Sequence, residues 1–393
     1  MNVLVVSHLY PTPEADRALF VHQQCLAVRR LGLGVSVVSP TPYAPRILWS
    51  NERLRRRGRT PRRAVLDGIG VEYPRFVQPP RRILFDRLGD IAFRSLRGLP
   101  LLRQGGFDVI HAHQAMPDGA IAARLSRDLA LPYVVTVHGA DVNQWLPAGG
   151  AIAARAAEVL RGAAAVVAVS NVLARRLGAY VPLDNVHVVQ NGGPGEGPPA
   201  QPADFMPGRP LVLCAGRLIA GKGLEPVVRA LARLPGELAD VHCVIAGDGP
   251  LRRPLEALAA ELGLRGRVHF VGWLDHDSLL AMMARAEVFA LPSAPEGFGL
   301  VHLEAMSQGA PVIACRDQGP ADFIEDGVSG RLVGDGDLDA LTEALTGLLA
   351  DPGRAAAIGE AGRTVAASFT WERNARRMRD LYEEVAAGAS RKD

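Results

Sequence analysis

Short apolar, β-branched runs alternate with longer Ala/Leu/Arg-rich stretches along almost the whole sequence, a rhythm that restricts the chain to parallel sheets with crossover helices. Runs such as Tyr133-Val134-Val135-Thr136-Val137 lack polar alternation, as strands covered on both faces require. Strands are expected near 2–7, 34–39, 107–111, 133–138, 164–169 and 186–190, with helices near 20–31, 117–129, 149–161 and 170–180. Between Gly192 and Pro210 a Pro/Gly-rich stretch can continue neither a helix nor a central strand. The rhythm then restarts with strands near 210–215, 241–246, 267–271, 287–291 and 311–315, followed by helical sequence after 336. The expected plan is therefore an α/β domain over 1–192, a linker over 193–209, a second α/β domain over 210–370 and a terminal helix over 371–393. A length of 393 residues suits two such domains.

No apolar run approaches the ~18 residues of a membrane-spanning helix, and Met1 leads straight into Asn2-Val3-Leu4-Val5-Val6, so a cytoplasmic location is expected. Cys25, Cys214, Cys243 and Cys315 are scattered, which speaks against a disulfide framework or a clustered zinc site. The net charge of +3 hides an uneven distribution, because residues 46–103 hold fifteen arginines against five acids, an excess of ten that leaves −7 elsewhere. Within it, 40–63 reads either as a solvated, mobile insertion or as a basic face with Ile47, Leu48 and Trp49 interleaved, continued by the amphipathic 81–103. Such a face suits anionic lipid headgroups or a phosphorylated acceptor, and replacing Arg55, Arg56 and Arg57 by glutamate should then weaken liposome binding. No nucleic-acid recognition signature accompanies it. Forty-two of the 44 basic residues are arginine, and Lys222 is the one lysine outside the C-terminal tail. A chain with that bias supplies arginine wherever a generic positive charge is enough, so Lys222 stands out.

The strongest motif runs from Leu291 to Met306, LPSAPEGFGLVHLEAM: a strand end, a Pro/Gly turn and an apolar helix starting around Gly299. Ligands of such folds bind at the carboxyl ends of parallel strands. Free backbone N–H groups at Gly299 and Leu300 would form an anion site, with Glu296 and Glu304 flanking it. Carboxylates accept from sugar hydroxyls but cannot hold a pyrophosphate, so the pattern suits a nucleotide sugar. A second motif, Gly216-Arg217-Leu218-Ile219-Ala220-Gly221-Lys222-Gly223, directly follows the strand Leu211–Ala215 and can aim two cations at a diphosphate. It lacks the spacing of a Walker loop.

These motifs resemble the retaining GT-B glycosyltransferases of family 4 (glycosyl transferases group 1). Ala246-Gly247-Asp248-Gly249-Pro250, Phe270-Val271-Gly272, Gly319-Pro320 with Asp326-Gly327, and Phe369-Thr370-Trp371 match in order over 205–385. The first half matches more loosely through Ser7-His8-Leu9-Tyr10-Pro11, His111-Ala112-His113, Thr136-Val137-His138-Gly139-Ala140-Asp141 and Val189-Gln190-Asn191-Gly192. The resemblance implies two Rossmann-like α/β/α domains facing a central cleft. It implies that Arg217 and Lys222 bind the donor diphosphate, that Glu304 contacts the ribose, that Glu296 contacts the donor sugar and that His138 faces that sugar, with Gly216, Gly247, Gly299 and Leu300 on the donor side. His113, Asp141, Asp16 and Arg17 are acceptor-side candidates. The terminal helix after Trp371 would cross back to the first domain.

Two departures stand out: Asp322 replaces the family's usual Glu before Phe323, and Pro13-Glu14-Ala15-Asp16-Arg17 replaces its first-loop glycine pair. No metal and no cofactor are expected, since the nucleotide sugar is itself a substrate. His111 and His113 lack a third ligand by spacing, and Asp275-His276-Asp277 and Asp335-Gly336-Asp337 read as helix caps rather than metal motifs. The expected activity is transfer of a hexosyl group from a UDP- or GDP-sugar to a hydroxyl of a sugar, lipid-linked or small-molecule acceptor, with retention, in polysaccharide, glycolipid or other glycoconjugate synthesis. A peripheral contact with the inner face of the cell membrane is part of that expectation. A GT-B-like nucleotide-sugar epimerase and a non-catalytic nucleotide-sugar or membrane-surface binding protein are the alternatives.

Overall fold

The computed structural model describes residues 1–13, 19–48, 52–79, 83–194 and 200–390. The chain divides into two compact units, one comprising Met1–Gly192 with Trp371–Asp393, the other Gly193–Thr370.

The first unit contains β1 (Asn2–Val6), α1 (Leu19–Arg30), β2 (Gly34–Val38), β3 (Thr41–Pro42), α2 (Glu52–Arg59), β4 (Arg63–Leu66), β5 (Ile69–Glu72), β6 (Arg75–Phe76), α3 (Leu88–Phe93), α4 (Pro100–Gln104), β7 (Val109–His113), α5 (Ala120–Leu129), β8 (Tyr133–Val137), α6 (Gly150–Gly162), β9 (Ala165–Ala168), α7 (Asn171–Leu177) and β10 (Val186–Val188). Its main sheet has the order β10-β9-β8-β7-β1-β2-β5-β4 and is parallel except for the β4–β5 hairpin. β7, β8 and β9 are buried along their whole length, which is why their sequences show no alternation. From β1 the chain runs outward to β2 on one side and later to β7 on the other, so the strand order reverses between β1 and β7.

The Arg-rich stretch is built into this unit. β3 pairs with β6, and Arg75 donates to the carbonyls of Arg57, Gly58 and Thr60 at the end of α2. A guanidinium is well suited to a helix C-terminus, where orphan carbonyls gather negative partial charge. The two-residue strands β3 and β6 carry too little pattern to be legible in sequence.

The second unit contains β11 (Leu211–Ala215), α8 (Leu224–Leu231), β12 (His242–Ala246), α9 (Arg252–Glu261), β13 (Val268–Gly272), α10 (His276–Arg285), β14 (Val288–Ala290), α11 (Leu300–Ser307), β15 (Val312–Cys315), β16 (Arg331–Val333), α12 (Leu338–Ala350) and α13 (Pro352–Ala367). Its sheet order is β13-β12-β11-β14-β15-β16. Counted within the unit this is third, second, first, fourth, fifth, sixth, all parallel, the Rossmann order with its switch point between β11 and β14. The stretch 193–209 joins this unit through Gly193 N–H to Phe369 O at 2.8 Å and Ala203 N–H to Ala281 O at 2.9 Å.

The last helix, α14 (Trp371–Ser390), packs along α1 in the first unit. Ala375, Met378, Leu381, Tyr382 and Val385 recur at helical spacing and enter that unit's core. Each large side chain so buried contributes roughly 1.5–3 kcal/mol. Asn374 directs the docking, accepting from Gln24 Nε2 and donating to Gln190 O, both at 2.8 Å. All four cysteines are free and buried. Among the described residues no helix is long and apolar enough to cross a membrane.

Candidate active site

In the second unit, both loops that leave the switch-point strands converge. Gly216–Gly223 follows β11 and is laced to the neighbouring loop by Gly216 N–H to Ala246 O at 2.9 Å and Leu218 N–H to Asp248 O at 3.0 Å. Ala294 N–H donates to Gly221 O at 2.8 Å, joining it to the loop after β14. Gly221 has φ +83°, and a Cβ there would lie 2.8 Å from Ala294 O, so only glycine lets the two loops close together.

This closure brings Lys222 Nζ to 2.8 Å from Glu296 Oε2. Glu296 also accepts from Ser293 Oγ at 3.0 Å and from Gly297 N–H at 3.1 Å, while its own N–H donates to Gln318 Oε1 at 3.0 Å. Burial by itself would raise the Glu296 carboxyl, but the charge and hydrogen bond of Lys222, with help from the Ser293 hydroxyl, hold it below the ordinary carboxylate range. The carboxylate is thus an ionised, oriented acceptor. Arg217 is exposed at the start of the same loop. Gly299, at φ +93°, precedes α11 with no side-chain cap, so the first N–H groups of that helix have no side-chain acceptor from the cap position. Gly247 abuts the β11 loop through its contact with Gly216. Glu304 lies a turn into α11, its carboxyl raised by burial against the opposing charge of His276. Asp322 ends the short turn Gly319–Asp322 beside this loop.

Sequence reasoning did not find Ser293, Gln318 or His302. His302 is wholly buried, and burial lowers its pKa. Its neutral ring donates from Nε2 to Leu291 O at 3.0 Å, tying α11 to the end of β14. Its place in the first turn of a mostly apolar helix was the only available signal.

In the first unit the carboxyl ends of β7 and β8 bring histidines together. His113 Nδ1 lies 3.0 Å from His138 Nε2, with the rings stacked at 5.3 Å. His111 bonds Thr136 Oγ1 and the Tyr382 hydroxyl of α14, both at 2.7 Å. Burial pushes His138 and His111 down to about 3 and His113 well below its usual value, so the array is neutral. Asp141 accepts from Ala115 N–H at 2.7 Å. Asp16 and Arg17 lie outside the described residues. Among the described residues no group of three or more His, Cys, Asp or Glu is arranged to hold a metal. Asp275 and Asp337 cap α10 and α12 by accepting from Ser278 N–H and Ala340 N–H, each at 2.9 Å.

Burial raises the Asp141 carboxyl to about 6, against the lowering effect of its backbone hydrogen bonds. A carboxyl raised on folding binds its proton more tightly in the native state, so its contribution to stability falls as pH rises from about 4 to about 6. Asp141→Asn is therefore expected to be more stable than wild type at pH 7, by on the order of 2 kcal/mol, with the difference vanishing near pH 4. Paired thermal melts across that range check it.

Two family models cover most of the chain: Glycosyltransferase Family 4 matches residues 18–192 and Glycosyl transferases group 1 matches residues 201–365. The chain is 39% identical to the GDP-mannose-dependent alpha-(1-6)-phosphatidylinositol monomannoside mannosyltransferase of Mycolicibacterium smegmatis, over 44% of this chain and 47% of that protein. It is 37% identical to the lipopolysaccharide core biosynthesis glycosyltransferase LpsE of Rhizobium meliloti, over 45% of this chain and 50% of that one. The chain thus spans about half the length of these curated relatives. Its fold matches the sucrose-phosphate synthase of Thermosynechococcus elongatus with TM-score 0.82 at 24% identity, covering 99% of this chain and 100% of that one. The chain thus carries a region matching Glycosyltransferase Family 4 followed by one matching Glycosyl transferases group 1, on a GT-B fold.

Proposed function

We propose that the protein transfers a hexosyl group from a nucleotide-sugar donor to a hydroxyl acceptor, with retention of configuration and without a catalytic metal, in glycoconjugate synthesis. The observation that carries this reading is the Lys222–Glu296 pair, drawn together across the β11/β14 switch point. The chemical problem is a departing nucleoside diphosphate and a sugar with oxocarbenium character. Lys222, Arg217 and the N-terminus of α11 supply preorganised positive charge for the first. Glu296, kept ionised by Lys222, accepts from donor-sugar hydroxyls, and Glu304 accepts from the ribose. The acceptor hydroxyl attacks on the leaving-group face, and the departing phosphate takes its proton. His138, neutral and paired with His113, contributes an uncharged hydrogen-bonding edge, with Asp141 on the acceptor side.

The likeness to a GDP-mannose-dependent enzyme favours GDP-mannose as the first donor to test. Purified protein incubated with UDP-, GDP- and ADP-sugars should hydrolyse one donor slowly and be thermally stabilised by it. Stabilisation without consumption would favour a binding protein, and conversion to an epimeric nucleotide sugar would favour an epimerase.

We also propose a peripheral membrane contact through the first unit. Among the described residues, six of the ten exposed large apolar side chains, Tyr43, Ile47, Val65, Val77, Ile83 and Leu84, fall within the arginine-rich region or beside it. Apolar side chains interleaved with arginine suit an anionic bilayer surface. Ile47→Glu combined with Arg55→Glu is expected to cut co-sedimentation with phosphatidylglycerol vesicles about tenfold or more, with no binding to phosphatidylcholine in either protein. Unchanged sedimentation would leave the segment as a solvated surface.

A further inference from the structure

A polar pair in the first unit has no part in the chemistry above. His8 follows β1, and Asp118 lies in the turn between β7 and α5. His8 Nδ1 stands 3.1 Å and 3.0 Å from the two carboxylate oxygens of Asp118, and the His8 backbone N–H donates to Oδ1 at 2.9 Å. The Asp118 side chain is 0% exposed and that of His8 is 27% exposed. A carboxylate only accepts, so Nδ1 carries a ring proton, and in the neutral ring Nε2 keeps its lone pair. The Nδ1 edge faces a buried group, and among the described residues Nε2 has no hydrogen-bond partner.

The pair stands where the strand order reverses, between the carboxyl ends of β1 and β7, the place where open α/β sheets take ligands. At the carboxyl ends of β1, β7 and β8, four buried polar atoms have no partner among the described residues: Ser7 Oγ, His113 Nε2, His138 Nδ1 and Asp141 Oδ2. The nearby charge of Asp118 adds to the upward shift of the Asp141 carboxyl. Buried polar groups are normally paired, so a concentration of unpaired ones suits a ligand rich in hydroxyls.

We infer that His8 is a further catalytic residue, whose Nε2 accepts a hydrogen bond from the attacking hydroxyl of the acceptor, and that Asp118 is the positioning residue that holds the required tautomer. This rests on the transferase reading above. In the step, the hydroxyl oxygen forms a bond to the anomeric carbon as the bond from that carbon to phosphate oxygen breaks. The electron pair leaves with the diphosphate. The hydroxyl proton, hydrogen-bonded to Nε2, passes by way of the His8 ring to the departing diphosphate, so His8 ends the step neutral and gains no net proton.

Asp118→Asn is the sharpest test. The asparagine oxygen still accepts from the His8 backbone N–H, but its amide donates to Nδ1 and moves the ring proton to Nε2. Nitrogen-15 NMR of the His8 ring should report the Nδ1–H tautomer in wild type and Nε2–H in the variant. Using the donor selected by the screen, with octyl α-D-mannoside, octyl β-D-glucoside and phosphatidylinositol vesicles as acceptor probes, Asp118→Asn and His8→Phe should each lower acceptor kcat/KM by about 10- to 100-fold. Donor affinity, read by thermal stabilisation, should not change. Where only water accepts, the same comparison is made on donor hydrolysis. An Nε2–H tautomer in wild type, or unimpaired variants beside an active wild type, overturns the dyad alone. A wild type that consumes no donor removes the transferase reading and the role of His8 with it.

Discussion

Lys222→Ala is expected to lower donor turnover by about 100- to 1,000-fold while the protein stays folded. Lys222 is the one lysine of the chain outside its tail, and its ammonium meets Glu296 at 2.8 Å. Its removal takes a compact positive charge from the leaving group and also frees Glu296 from the partner that keeps it ionised. Burial, the largest influence on that carboxyl, then prevails and raises its pKa. The sign for stability follows. In wild type a carboxyl lowered on folding contributes stability above its unfolded pKa of about 4.3, and that contribution is lost as pH falls through the lowered folded value. In Lys222→Ala that contribution disappears and its sign reverses, so the variant is less stable than wild type at neutral pH and the deficit shrinks as pH falls to about 4 and below. Melts from pH 3 to 8 beside kcat measurements read both effects, and full turnover in the variant would remove Lys222 from the mechanism.

Arg217→Ala is expected to cost about 100-fold in turnover with almost no change in melting temperature. Arg217 is exposed, and no hydrogen bond or ion pair joins its guanidinium to a described residue, whereas the neighbouring Leu218 is wholly buried and anchors the loop. Surface substitutions away from packed features usually stay within about 0.5 kcal/mol, so function and stability separate here more cleanly than at Lys222. Arg217→Lys should recover only part of the loss, because an ammonium cannot reproduce the forked hydrogen bonds of a guanidinium to a diphosphate. Full recovery would reduce its role to that of a generic charge. A fall in melting temperature parallel to the fall in rate would make it a structural residue.

The strand positions expected from sequence agree with β1, β2, β7 to β10 and β11 to β15 to within a few residues. Runs without polar alternation, such as Val134–Val137 and Leu211–Ala215, suit strands covered on both faces. The short β3, β6 and β16 escaped, because two or three residues carry no period, and the four-residue strands β4 and β5 of the hairpin escaped as well. The donor-side residues were legible for a related reason: in a parallel sheet, functional loops follow strand ends, so Gly216–Gly223 and Leu291–Gly299 could be located from the strands alone. Asp118 was invisible as a functional residue because it reads as one acid in a helix-starting turn, and His302 because it reads as one of several polar residues in a mostly apolar helix.

Sequence alone therefore determined the repeating α/β rhythm, the break after Gly192, the residue types in the two switch-point loops and the singular position of Lys222. These depend on local sterics, periodicity and composition, which a linear chain displays directly. Only the tertiary structure decided the partnerships. Lys222 meets Glu296 across 74 positions, His8 meets Asp118 across 110 and Tyr382 meets His111 across 271. Each depends on which strands lie side by side and where their order reverses. Neighbouring strands are chosen by the packing of the whole sheet and its helices, and nothing in the local pattern of a strand records its neighbour.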